Sequence, residues 1–313
     1  MTVNSKLPEI LPCLTTALQI PFRKMHPDAA AEIQELRLRR GRPLHAVRGG
    51  TEYTVSESGT LTGTGQAGCV VSGQALETIF RNCCAHSVHA YQHEIMHGFL
   101  TAAGGNRIGL CGTAVIQNGI VTGLRDISSL NIRIASERTG CAEPLASLIG
   151  DPRITGGILL CGPPASGKTT LLRDLARIIG NRMRVCILDE RGELAAVRNG
   201  IPQFTVGVQT DVFDGYPKAE AVAQAVRVMS PEVLICDEIG DRDEAECLLQ
   251  TLHTGVRLIA SAHADSFVDL LMRPQIKRLI DSGVFRKAYL LGTGSSCGEI
   301  SGTQMFGGQK CKN

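Results

Sequence analysis

Tryptophan is absent from the 313 residues, and only 4 Tyr and 8 Phe accompany that gap. Hydrophobic cores must therefore be built from Leu, Ile, Val and Ala, and there is no row of aromatics to stack bases along a groove. A predominance of one charge sign is lacking too. With 32 Lys and Arg against 30 Asp and Glu, the net charge is +2, too near neutral to mark a nucleic-acid surface or an anionic-membrane binder. No apolar run approaches the roughly 18 residues of a spanning helix. The opening MTVNSKLPEILPCL, interrupted by Pro8, Glu9 and Pro12, has no apolar signal-peptide core. These absences predict a cytoplasmic protein. C-x-x-C pairs are missing as well: the 12 cysteines are dispersed, and Cys161, Cys186 and Cys236 sit in apolar runs where a thiol packs as a small hydrophobe. Reduced thiols are expected, with adjacent Cys83 and Cys84 as the best redox candidates.

What is present is an alternation. From about residue 141, short apolar runs (Gly157–Cys161, Val185–Leu188, Val233–Cys236, Leu258–Ala262 and Ala288–Leu291) are separated by stretches of helical period, Thr169–Ile179, Lys218–Met229 and Arg242–Leu252. Continuous apolar runs of this length fit strands buried on both faces of a parallel sheet. The expected fold is α/β, a RecA-like P-loop core over residues 141–292 with a mostly parallel sheet. Residues 1–140 are less regular and read as a smaller α+β domain. In it, Ile33–Leu38 and Leu44–Val47 flank the turn Arg40-Gly41-Arg42-Pro43, residues 73–96 read as helical, and Gly104–Val121 reads as a hairpin or meander. The Gly/Ser-rich stretch 293–313 is expected to be a disordered tail.

Gly162-Pro163-Pro164-Ala165-Ser166-Gly167-Lys168-Thr169 satisfies G-x-x-x-x-G-K-[ST] in full, between a predicted strand and a predicted helix that opens with Thr170. The spacing has a physical reason: loop amides and the helix N-terminus wrap the phosphates of ATP. Lys168 is expected on the β- and γ-phosphates and the Thr169 hydroxyl on Mg²⁺. Val233–Glu238 has the form of a Walker B strand, ending in two carboxylates at the sheet edge that carries the P-loop. Asp237 is the candidate Mg²⁺ ligand, and Glu238 the group that orients or deprotonates the attacking water. Two further strand ends converge on that edge. Glu190 could assist water or metal and His263 could sense the γ-phosphate; each could equally cap its strand.

These blocks resemble the secretion and pilus-retraction ATPases. Arg227-Val228-Met229-Ser230-Pro231-Glu232 leads into the Walker B strand and Ile239-Gly240-Asp241-Arg242 follows it, Asp189-Glu190 stands for the acidic box, and Ser261-Ala262-His263-Ala264 for the histidine box. Over nearly the whole chain the sequence is similar to the stage III sporulation protein AA family. Glu35–Arg39, Gly41–Leu44, Gly98–Thr101, Gly104–Leu110 and Asp126–Ile134 carry that likeness in the first half. Asp189–Leu194, Thr210–Val212 and Pro217–Glu220 carry it in the second. Gln209, Gly192 and Asn106 depart from the expected pattern. The resemblance implies a hexameric ring of copies of this chain at the cytoplasmic face of a membrane, powering or gating a mother-cell–forespore channel during endospore formation. It also implies partners among membrane-embedded channel proteins, with peripheral membrane association and no nucleic acid.

Ring ATPases often complete a site with an arginine from a neighbouring subunit. Arg107 and Arg133 rank first for that role and Arg125 next, with surface or interdomain salt bridges as the plain alternative. Arg173 and Asp174 are read as an exposed helical ion pair. Arg37, Arg39, Arg40 and Arg42 read as a solvated or interprotomer face. His86, His89, His93 and His97 would share one helix face, a spacing able to bind zinc but read as a polar surface. Against the ATPase-motor reading stand a RecA-like ATPase acting on DNA, a nucleotide-gated scaffold with little turnover, and a small-molecule kinase.

Overall fold

The structure, a computed structural model, describes residues 2–149, 156–240, 242–249, 251, 254–294 and 298–307. It divides into two compact units, one of Val3–Glu137 with Arg198–Gln203, the other of Met1–Thr2, Arg138–Val197 and Phe204–Asn313.

The first unit is built on an antiparallel sheet. Its strands are β1 (Ile33–Arg39), β2 (His45–Arg48), β3 (Thr51–Val55), β4 (Leu61–Thr62), β5 (Phe99–Thr101), β6 (Arg107–Gln117) and β7 (Ile120–Arg133), in the order β4-β3-β2-β1-β7-β6-β5. Alternation decides the faces. Leu36 and Leu38 of β1 enter a core shared with Ile108, Leu130 and Ile132, against Phe22, Leu76 and Ile79 from two helices. The hairpin β6–β7 turns at Asn118 (φ 52°) and Gly119 (φ 77°), the residue pair that a two-residue turn with both φ positive favours.

The helix Gly73–Cys83 starts where the Ser72 Oγ accepts from the Ala75 amide at 3.1 Å, and it does not run on to residue 96. Ala85 (φ 46°) and His86 (φ 61°) break it, and a short helix resumes only at Gln92–Met96. The expected histidine row therefore has no common face. His93 and His97 are neighbours, their ring centroids 4.5 Å apart, and no metal-holding group of His, Cys, Asp and Glu occurs among the described residues.

The second unit contains β8 (Gly157–Gly162), β9 (Val185–Asp189), β10 (Thr210–Asp214), β11 (Val233–Glu238), β12 (Arg257–His263), β13 (Phe285–Leu291) and β14 (Ile300–Met305), ordered β10-β9-β11-β12-β8-β13-β14. All neighbours run parallel except β13–β14. Successive side chains of one strand feed opposite cores. Leu159, Cys161, Leu188, Leu234 and Cys236 meet the helices Lys218–Gln224, Arg242–Leu249 and Pro274–Asp281. Ile158, Leu160, Ile187, Val233 and Ile235 meet the helix Lys168–Ile179.

The five apolar runs of the sequence are five of these strands. The two unforeseen ones, β10 and β14, lie at the edges of the sheet. The expected disordered tail is corrected here: Ile300–Met305 pairs antiparallel with β13 as the edge strand of the sheet, while 295–297 and 308–313 lie outside the described residues. Among the described residues no helix is long and apolar enough to cross a membrane, and the ten cysteines there carry free thiols.

Candidate active site

In a parallel sheet the carboxyl ends of the strands share one edge, and a crevice opens where the strand order reverses. The central strands β8, β11 and β12 end there in Gly162, Asp237-Glu238 and His263. From β8 the chain passes through Pro163–Gly167 into the helix Lys168–Ile179, capped by Gly167 at φ 93°. The loop is tight. A Cβ on Gly162 would stand 2.5 Å from Ser166 Oγ, and Ala165 takes a positive φ of 61°. That Oγ is buried with no hydrogen-bond partner among the described residues, a polar atom aimed into the loop with nothing yet to bond.

Lys168 is 6% exposed. Its Nζ donates to the Gly162 and Pro163 carbonyls, each at 2.8 Å, and lies 3.1 Å from His263 Nδ1. Burial pushes this ammonium below its ordinary pKa, with Glu238 and Asp237 acting in the opposite sense. Asp237 accepts from Thr169 Oγ1 at 3.2 Å and, on its other oxygen, from Ser261 Oγ at 2.9 Å. Glu238 Oε2 lies 3.2 Å from His263 Nε2, both side chains 33% exposed. Lys168, Thr169, Asp237, Glu238 and His263 thus form one connected cluster. Consecutive strand residues should face opposite ways, yet Asp237 and Glu238 both serve it. The β11–β12 register shifts between Cys236 and Glu238, and such a bulge re-aims side chains.

The acidic box divides. Asp189 is 2% exposed and accepts the amides of Glu193, Leu194, Ala195 and Ala196 at 2.8, 3.0, 2.7 and 3.3 Å. It organises a loop. Glu190 approaches Lys218 Nζ, 3.9 Å from its Oε2, and Lys218 in turn bonds the Glu238 carbonyl. Sequence reasoning placed Lys218 and Ser261 only within family-like runs and gave neither a role; no local signal pointed to their partners.

Arg173 and Asp174 do not pair, since adjacent helical residues diverge. Arg173 Nε donates to the Glu193 carbonyl at 2.7 Å and its guanidinium covers the Phe204 ring at 4.2 Å. Asp174 is buried on the Ala142 amide and on Arg177, at 2.7 and 2.8 Å. In the first unit Arg107 and Arg133 are direct cross-strand partners on β6 and β7. Arg107 stacks on Phe99 at 4.2 Å, Arg133 lies 3.9 Å from Glu35, and Arg125 lies 3.8 Å from Asp126. Arg37 and Arg39 of the basic cluster are paired with Glu35 and Glu52. Asn106, one of the departures from the family pattern, is fully buried and satisfied by the Lys6 and Ala103 carbonyls and the Ala135 amide.

The family described as "Sporulation stage III, protein AA" matches residues 5–310. The chain belongs to that family. Stage III sporulation protein AA of Bacillus subtilis (strain 168) is 37% identical over 299 residues, covering 94% of this chain and 93% of that protein. A shorter likeness reaches the type II secretion system protein HxcR of Pseudomonas aeruginosa, 31% identical over 147 residues, 46% of this chain but 28% of that longer protein. Among solved structures, the pilus retraction motor PilT with bound ADP has a TM-score of 0.54 at 15% identity, covering 82% of this chain and 74% of that one. At that identity the likeness is one of fold.

Proposed function

We propose that this member of the sporulation stage III protein AA family hydrolyses Mg-ATP and works as a secretion-type ATPase, powering or gating a mother-cell–forespore transport channel during endospore formation. The observation that carries the hydrolysis is the joining of Lys168, Thr169, Asp237, Glu238 and His263 into one cluster at the carboxyl ends of β8, β11 and β12. The channel role rests on the family and on its secretion-type relatives.

Gly162, Pro163, Pro164, Ala165, Ser166, Gly167, Lys168, Thr169 and Thr170 receive the phosphates, on loop amides and the helix N-terminus. Ser166 supplies its orphaned hydroxyl, and Lys168 exchanges its two carbonyl acceptors for phosphate oxygens. A hydroxyl and a carboxylate are hard oxygen donors suited to Mg²⁺, so Thr169 and Asp237 would hold it, with Ser261 fixing the carboxylate's second oxygen. An Mg²⁺ ion held by these two residues would supply neutralisation of phosphate charge. Glu238 accepts the proton of the attacking water, and His263, bonded to both Glu238 and Lys168, orients the carboxylate and reports the γ-phosphate. Glu190 assists from the neighbouring strand end. Arg107 and Arg133 act in trans within a hexameric ring, neutralising γ-phosphate charge in the adjacent subunit.

ATP turnover by the full chain with Mg²⁺, measured with and without membranes and with and without single-stranded DNA, tests this reading. Turnover that disappears in Lys168→Ala and in the presence of chelator is expected. Strong stimulation by DNA that is lost at raised salt would overturn the transport reading, and nucleotide binding without turnover would overturn hydrolysis.

A further inference from the structure

The Walker B bulge needs something to hold it. The register with β12 shifts between Cys236 and Glu238, and pairing with β9 on the other side ends at Cys236, so the Glu238 carbonyl beyond that ladder requires another donor. That donor is Lys218, the first residue of the helix Lys218–Gln224, whose Nζ bonds the Glu238 carbonyl. Only 9% of the residue is exposed. The same ammonium bonds Glu244 Oε1 at 3.0 Å and faces Glu190 Oε2 at 3.9 Å. The second oxygen of Glu244 accepts the Gly240 amide at 2.8 Å, so one lysine and one glutamate clamp the chain on both sides of Ile239. The Ile239 amide itself returns to Ser261 at 3.0 Å. Buried cations require such pairing, and here the pairing is spent on the main chain that carries the Walker B glutamate.

We propose that Lys218 is the positioning residue for Glu238: by holding the bulged backbone between the Glu190 and Glu244 carboxylates, it aims the Glu238 carboxylate at the attacking water. The inference rests on the ATPase reading. Lys218 touches neither phosphate nor metal in this scheme, and its effect passes through Glu238. Nucleotide affinity should therefore be spared while turnover suffers, because the P-loop contacts of Lys168 and Thr169 do not involve it.

The test compares full-length wild type, Lys218→Met, Lys218→Arg, Glu238→Gln and the double variant Lys218→Met/Glu238→Gln, scoring ATP turnover and the affinity for a fluorescent ATP analogue. Lys218→Met is expected to lower kcat about 100-fold, the scale of losing a positioned general base, with analogue affinity within about twofold of wild type. Lys218→Arg, which keeps the charge and a donor, should recover part of that loss. In the Glu238→Gln background Lys218→Met should cost almost nothing further, whereas a merely structural role would give an additive loss. Additive losses, or a kcat in Lys218→Met equal to wild type, would overturn the assignment. If Lys218→Met does not fold, Glu244→Gln decides: it frees one side of the clamp, and unchanged turnover in it likewise overturns the assignment. A wild type that binds the analogue without turning over ATP removes the ATPase reading and this inference together; an active wild type with an equally active Lys218→Met removes this inference alone.

Discussion

Asp189 offers a stringent test of how the loop after β9 is held. Its two oxygens take four consecutive main-chain amides, residues 193–196, at 2.7 to 3.3 Å, and Leu194, Ala195 and Ala196 are at most 1% exposed. Water cannot replace the carboxylate without the loop opening. An unpaired buried amide costs about 1–3 kcal/mol. At the lower end of that range, Asp189→Ala, which orphans the three fully buried amides of Leu194, Ala195 and Ala196, should destabilise the second unit by about 3 kcal/mol. Asp189→Asn turns one acceptor into a donor and should cost about 2 kcal/mol, a large penalty for a near-isosteric change. A unit of this size shifts by about 2–4 °C per kcal/mol, so the alanine variant should melt about 10 °C lower. Thermal melting gives the total, and hydrogen exchange resolved to residues 190–197 shows where the protection is lost. A melting shift under about 2 °C together with unchanged exchange at 193–196 would refute the reasoning.

In the first unit, Glu52 has its carboxyl pulled down to about 2 by hydrogen bonding to Arg39, against the desolvation of partial burial and with further help from His45. A depressed carboxyl contributes stability that is complete above its unfolded pKa near 4.5 and is lost as pH falls towards 2. Glu52→Gln should therefore cost about 1–2 kcal/mol at pH 7, after discounting for solvent screening, and should flatten the urea-midpoint profile between pH 5 and 2. A hydrogen bond from Cys83 lowers the Cys13 thiol below its ordinary pKa, with burial opposing and Arg198 assisting, whereas burial pushes Cys161, Cys186 and Cys236 up to about 12. Alkylation followed by mass spectrometry across pH 6–9 should label Cys13 at lower pH than the Cys83→Ser variant labels it, and the strand cysteines not at all in folded protein.

The candidate site was legible because its residues fall in contiguous runs. A P-loop carries its own spacing, and Val233–Glu238 shows an apolar strand running out into carboxylates. The central strands were legible for the same reason, being apolar on both faces. The edge strand Thr210–Asp214 was not, since only Val212 and Phe213 are apolar in it, too short a run to mark a strand. Ile300–Met305 was hidden by the glycines and serines around it, although a main-chain ladder with β13 needs no apolar side chain. Lys218 and Ser261 could not be assigned because their partners are 20 and 24 residues away, a distance no local pattern spans. Asp189 was read as part of an acidic box, and only its four amide partners reveal a loop anchor. The histidine row failed on backbone conformation: Ala85 and His86 take positive φ, which side-chain spacing cannot foretell.

The segment Arg198–Gln203 gives the chain an unusual dissection map. Arg198 bonds the Cys83 carbonyl at 3.0 Å and the Tyr91 hydroxyl at 3.3 Å, and Gln203 accepts the Gly104 amide at 2.9 Å, so the polypeptide visits its first unit a second time after β9. No single cut yields two whole pieces. A fragment ending at Glu137 would leave the Cys83 carbonyl and the Gly104 amide without these partners, and its complement would carry six residues shaped for a neighbour it no longer has. For anyone dividing this protein for expression, the return of residues 198–203 to the first unit is a stitch that any cut must respect. The stitch lies in the chain immediately downstream of the Asp189-anchored loop.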